Sequence, residues 1–206
     1  MAALLPTTAR AAATFTGVAS PIPPAVEARM RAGTWREDHP LCPRLDQLAY
    51  VELDHWTLDG DVARGELVVA AAIARPTLTL FRRLFALGFP IARIRLLDDY
   101  GDDPRSMAAD NSSAFCFRVI DGTTNLSWHA LGMAIDLNPV ENPWVRPGHG
   151  FVPAEGAPYL DRADVRPGMI VRPGPVVRVF DELGWEWGGD WRHSLDHHHI
   201  VWAARG

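Results

Sequence analysis

From Leu48 onward the apolar positions fall into readable periods. Leu48 to Leu58 and Glu66 to Ala74 carry strand patterns, joined by the turn formers Asp59, Gly60 and Asp61 and closed by Gly65, which predicts a hairpin. Arg75 and Pro76 then open a helix, with Pro76 expected at the first helical position, where its missing N–H costs nothing. Leu80, Phe81, Leu84 and Leu87 recur at helical spacing, Gly88 ends the run and Pro90 prevents its return. Ile91 to Leu97 predicts the next strand, followed by a polar loop over 98–104. A second helix opens at Pro175, carries Val176, Val179, Phe180 and Leu183 on one face and stops at Gly184. Met133 to Leu137 alternates again, with Ala134, Asp136 and Asn138 on one face and Met133, Ile135 and Leu137 on the other. His197 to Trp202 reads as a last strand in which His197 and His199 share a face and His198 points away. Between Asn138 and Met169, Pro139, Pro143, Pro147, Pro153 and Pro158 suppress any period and predict a long irregular loop of the functional or mobile kind.

Hairpin-like strands with two clear helices predict an α+β domain, an antiparallel β-sheet with helices packed on one side. A chain of 206 residues supports one core, assigned here to residues 41–206. Residues 1–40 are expected to be a loosely ordered N-terminal segment ending in a Pro-rich linker, because Pro21, Pro23 and Pro24 remove amide donors and favour extended chain. The first twenty residues are rich in Ala and Thr but lack a basic start, and Arg10 interrupts the apolar run, so they make a weak export signal or none. No stretch approaches the roughly 20 apolar residues of a transmembrane helix. The net charge of −5, with basic residues scattered, gives no electrostatic reason to expect nucleic acid. The two cysteines, Cys42 and Cys116, allow one disulfide or two thiols and exclude a cysteine-built zinc site. A monomer is expected.

The chemistry concentrates in the last third. His129 and Asp136 stand seven positions apart around Gly132, and three consecutive histidines follow at 197–199. A catalytic zinc site commonly takes three His or carboxylate ligands and leaves the fourth position open, and His129, Asp136 and His199 make such a set. Asp136 would be costly to bury in an apolar strand without a partner, and a metal is such a partner. His197 is the rival to His199, while His198, His39, His55, His149 and His193 read as structural or surface residues. Hydrolysis of an amide also needs a group that takes the proton of water and returns it to the amine, for which Asp196 is the candidate. Arg118 offers a planar fork of donors for a substrate carboxylate or a developing oxyanion.

Ser127, His129, Gly132, Ala134 and Asp136, followed by Asp196 and His199 at a spacing of three, resemble the pattern of the zinc peptidases of bacterial cell walls. That family includes D-alanyl-D-alanine carboxypeptidases, Van-type dipeptidases and phage L-alanyl-D-glutamate endopeptidases. The segment from Asn111 to Arg118 is similar to the family's substrate-binding arginine segment, and Gly184 to Trp191 to its aromatic, glycine-rich approach to the last ligand. The resemblance spans roughly residues 40 to 202. It implies the fold shared with Hedgehog domains, zinc on His129, Asp136 and His199, and proton transfer by Asp196. It also implies a peptidoglycan stem peptide as substrate, bound by Arg118, Ser113 and Trp191, with Ser127 supporting His129. Action at the cell wall or after export follows from that substrate. The acidic residue three positions earlier favours His199 over His197. A zinc-containing binding domain of the same fold, without turnover, is the alternative.

Overall fold

The computed structural model describes residue 4 and residues 13–120 and 122–202. Most of the stretch in which an export signal was sought lies outside the described residues. The chain forms strand β1 (Gly17–Ser20), helix α1 (Pro24–Ala32), the hairpin β2 (Leu48–Trp56) and β3 (Val62–Ala70), and helix α2 (Ala74–Leu87). After these come β4 (Arg93–Ile94), α3 (Asp103–Ala108), β5 (Asn111–Ser112) and β6 (Ala134–Asp136). The last third adds β7 (Trp144–Arg146), β8 (Gly150–Val152), α4 (Pro175–Leu183), β9 (Glu186–Trp187), β10 (Leu195–Asp196) and β11 (His199–Val201).

The result is an α+β fold of small sheets: antiparallel β1-β2-β3, β10-β7-β8 and β6-β11-β9, with the pair β4-β5 parallel. Alternation along the hairpin decides what packs where. Ala49, Val51, Leu53, Leu67 and Val69 face Leu80, Phe81 and Leu84 of α2 and Val176, Val179 and Phe180 of α4 in the main core. Ile135, Leu137 and Ile200 enter the same core from behind the strands that carry Asp136 and His199. Leu48 and Val68 face the other way, where Val26 and Met30 of α1 cover them with Trp35. Helices α2 and α4 thus pack on one face of this sheet, as expected, and α1 with Trp35 closes a smaller cluster over Leu48 and Val68.

Two corrections concern local structure. Residues 13–40 are not a loose linker: β1 pairs with β2 from Gly17↔Leu53 to Ser20↔Tyr50, and the prolines lead directly into α1, with Pro24 inside its first turn. Proline is tolerated there for the same reason that made it read as a linker, its lack of an amide donor. In α2, which starts at Ala74, Pro76 is the third residue, still within the turn whose N–H groups have no helical partner. The end of α2 matches expectation, with Gly88 at φ +69° and Phe89 N donating to Leu84 O at 3.0 Å. Cys42 and Cys116 are both free thiols. No helix among the described residues is long and apolar enough to cross a membrane.

The long loop after β6 is held by buried amides. Asn138 accepts from Ala92 N and donates to Pro90 O and Gly168 O, at 2.9–3.1 Å. Asn142 donates to Leu137 O, Asn138 O and Gly168 O and accepts from Ile170 N and Arg162. Beside it Glu141 is buried against Asp110 and Tyr159. Burial and the neighbouring Asp110 carboxyl push Glu141 up to about 8. A carboxyl that ionises later in the folded than in the unfolded chain holds extra protons in the native state. Its stabilising effect is complete below the ordinary value of 4.5 and is lost as pH rises through about 8. Glu141→Gln, which stays neutral, should raise stability at pH 8 by about 1–3 kcal/mol and lose that advantage near pH 4. Thermal melts of both proteins across this range check it.

Candidate metal centre

Three elements mount His129, Asp136 and His199. His129 lies in the 3-10 turn Trp128–Leu131, whose first N–H groups are capped by Ser127, with Oγ accepting from His129 N at 3.2 Å. Gly132 ends the turn at φ +68°, and a Cβ there would stand 2.5 Å from Ala70 N. Glycine is thus required both by the backbone angle and by the close approach of β3, whose Ala70 N donates to Gly132 O. Asp136 is on β6, directly opposite His199 on β11. On its other side the backbones of Asp136 and Ser113 exchange hydrogen bonds of 2.9 and 3.1 Å.

The three side chains converge at close range. His129 Nε2 and His199 Nδ1 are 3.1 Å apart, His199 Nδ1 is 3.0 Å from Asp136 Oδ1, and His129 Nε2 is 3.1 Å from Asp136 Oδ2. All three residues are buried. His129 Nδ1 lies 2.6 Å from Ala114 O; a carbonyl only accepts, so Nδ1 carries a proton, and Nε2 is the ring atom turned towards Asp136 and His199. Two ring nitrogens and a carboxylate facing one point, buried and nearly in contact, suit a shared cation. Metal–ligand bonds of about 2.0–2.2 Å in a tetrahedron separate neighbouring ligand atoms by about 3.3–3.6 Å, a few tenths more than observed. The donor set therefore fits a divalent metal ion. Burial on its own would push the Asp136 carboxyl up, but His129 and His198 hold it well below the ordinary range.

These residues form the floor of a cleft of about 650 Å³, lined also by Arg118, Trp128, Trp144, Trp191, Asp196 and His198. Asp196, on β10 opposite Trp144 of β7, is buried at its edge. Trp191 is 38% exposed, with its ring centroid 5.3 Å from that of His199. Arg118 does not stand alone, because its guanidinium pairs with Asp103 at 2.8 Å. Ser113 is buried and is not among the residues lining the cleft; its backbone holds Asp136.

The triple-histidine stretch departs from a simple strand. The chain bends at His197 and His198 between β10 and β11, so alternation does not run through it. His197 packs on Trp187, and burial keeps its ring neutral, pushed down to about 4. His198, expected to point away, faces the cleft with Nε2 3.0 Å from Asp196 Oδ1 and Nδ1 2.9 Å from Asn142 O. Burial would lower its pKa, but Asp196 and Asp136 outweigh that and push it up to about 9. Neither His198 nor Asp103 was legible as part of the site, since each acts through a partner remote in sequence or across a bend.

Residues 121–202, which contain His129, Asp136, Asp196 and His199, match a family model. Its description is D-alanyl-D-alanine carboxypeptidase. The match supports the resemblance read from the sequence and, with it, a peptidoglycan-acting metallopeptidase. Ser113 and Arg118 lie before the matched residues. No curated protein and no solved structure matches the chain.

The geometry makes an expectation about the metal. His129→Ala and His199→Ala should each weaken divalent-metal binding by more than the roughly 10–100-fold that a supporting residue costs, whereas His197→Ala should leave affinity within a few-fold. Calorimetric titration of the metal-free proteins with zinc measures this, and retention of tight binding by His199→Ala would remove that residue from the ligand set.

Proposed function

We propose that this chain is a zinc-dependent peptidase that hydrolyses peptidoglycan stem peptides, removing a terminal D-Ala or cutting between L-Ala and D-Glu. One observation carries the reading: the buried convergence of His129, Asp136 and His199 at the floor of a cleft that also holds Asp196 and Arg118. Zinc is favoured by the mixed imidazole and carboxylate donor set, and the ligands are those three residues. When bound there, zinc supplies a Lewis acid for the scissile carbonyl and lowers the pKa of water.

The remaining work belongs to the protein. Asp196 accepts the proton of the attacking water and returns it to the leaving amine. Its position three residues before His199 keeps it beside the ligand set while its carboxylate stays outside that set. Arg118, oriented by Asp103, offers donors to the oxygen that gains charge or to a substrate carboxylate. Trp128, Trp191, Val119 and Ile120 are partly exposed around the cleft and give an extended peptide an apolar wall. Ser113 acts on this reading through the backbone of Asp136, not through contact with the peptide.

Mass spectrometry of muropeptides with a pentapeptide stem, incubated with the zinc-loaded protein and in parallel with a chelator, tests the reading. Zinc-dependent product is expected, and its mass distinguishes loss of one D-Ala from cleavage after L-Ala. Protein that holds zinc and yields no product would instead be a binding domain or would act on another peptide. Asp196→Ala should lower kcat by about 10²–10⁴-fold with zinc still bound. Loss of the metal in that variant would make Asp196 a ligand and not a proton carrier.

A further inference from the structure

His198 is the least expected member of the site. It is 3% exposed; Nδ1 is hydrogen-bonded, and Nε2 lies at ion-pair distance from Asp196. Nδ1 faces Asn142 O at 2.9 Å and, opposite a carbonyl, must donate. Nε2 stands 3.0 Å from Asp196 Oδ1 and 3.9 Å from Asp136 Oδ2, between the proposed proton carrier and a proposed ligand. The backbone is fixed as well, because His198 O accepts from Leu137 N at 3.0 Å at the end of β6.

The anchor on the far side of the ring is rigid. Asn142 is fully buried and tied to Leu137, Asn138, Gly168, Ile170 and Arg162, so its carbonyl has little freedom. The backbone of Asp196 is held in β10 against β7 and closely approached by Gly188, where an added Cβ would stand 2.6 Å from Asp196 O. The ring thus bridges a fixed carbonyl and one oxygen of a carboxylate whose backbone is already held.

We propose that His198 is a positioning residue: it engages Oδ1 of Asp196 and so fixes the orientation in which that carboxylate meets water and peptide in the cleft. This rests on Asp196 being the proton carrier of the proposed peptidase. His198 neither binds the metal nor touches substrate; its effect passes through Asp196.

Two measurements on the 206-residue chain test this. The first uses metal-free protein and reads thermal midpoints of wild type, Asp196→Asn, His198→Ala and the double variant. Coupling between the residues predicts that the shift caused by Asp196→Asn shrinks by at least half in the His198→Ala background. Additive shifts would overturn the proposal, whether or not the protein is a peptidase. The second reads kinetics of the zinc-loaded proteins on the stem peptide that wild type cleaves. His198→Ala should lower kcat about 10–100-fold, with KM and zinc content within twofold of wild type, and His198→Gln, which keeps a donor, should recover most of the loss. Unchanged kcat in His198→Ala, or loss of zinc from it, would also overturn the assignment. Absence of hydrolysis by wild type would defeat the peptidase reading while the thermal cycle still reports on the contact itself.

Discussion

The backbone pairing of β6 with β11 is the constraint on which the rest of the site depends. It sets Asp136 directly across from His199, in a strand pair whose other face is packed into the main core through Ile135 and Ile200. A slip of one residue would turn the carboxylate towards those apolar side chains and the isoleucines outward. Register is therefore enforced by burial, and the geometry of the candidate metal centre inherits its precision from the core. His129 joins this pair from a separate turn, tied to the sheet through Gly132 and Ala70 and held at Nδ1 by Ala114 O.

Concentrating a carboxylate and two ring nitrogens in a buried site is unfavourable unless a positive charge satisfies them. The protein supplies partial relief through His198, whose ring stands near both Asp136 and Asp196. Arg118 with Asp103 forms a second charged pair on the cleft wall. Asp103 and Arg118, and Asp136 and Asp196 with His198, thus stand beside groups of complementary charge in the cleft. The buried amides of Asn138 and Asn142 extend the same principle to the irregular loop behind the site, where side-chain hydrogen bonds stand in for a backbone ladder.

Much of this was legible in one dimension. The hairpin, α2 and α4 with their glycine stops, and the α+β class follow from apolar periods and turn residues, because those signals are local. His129, Asp136 and His199 were readable as a set because the residue types and their spacing carry metal chemistry. The N-terminal strand and helix were hidden, since prolines at a helix start and in a linker look alike until something packs on them.

What the amino-acid order determined by itself was the inventory: the strands and helices long enough to show a period, the glycine that must close the His129 turn, and the donor types that suit a divalent metal. What only the tertiary structure decided was which groups meet. The bend at His197 and His198 reversed the facing of those rings, the pairing of Arg118 with Asp103 joined segments with no common local pattern, and Ser113 acts on Asp136 through its backbone. The physical reason is that periodicity reports a residue's face only while the backbone stays regular. Contacts across bends and between distant segments are set by packing of the whole chain.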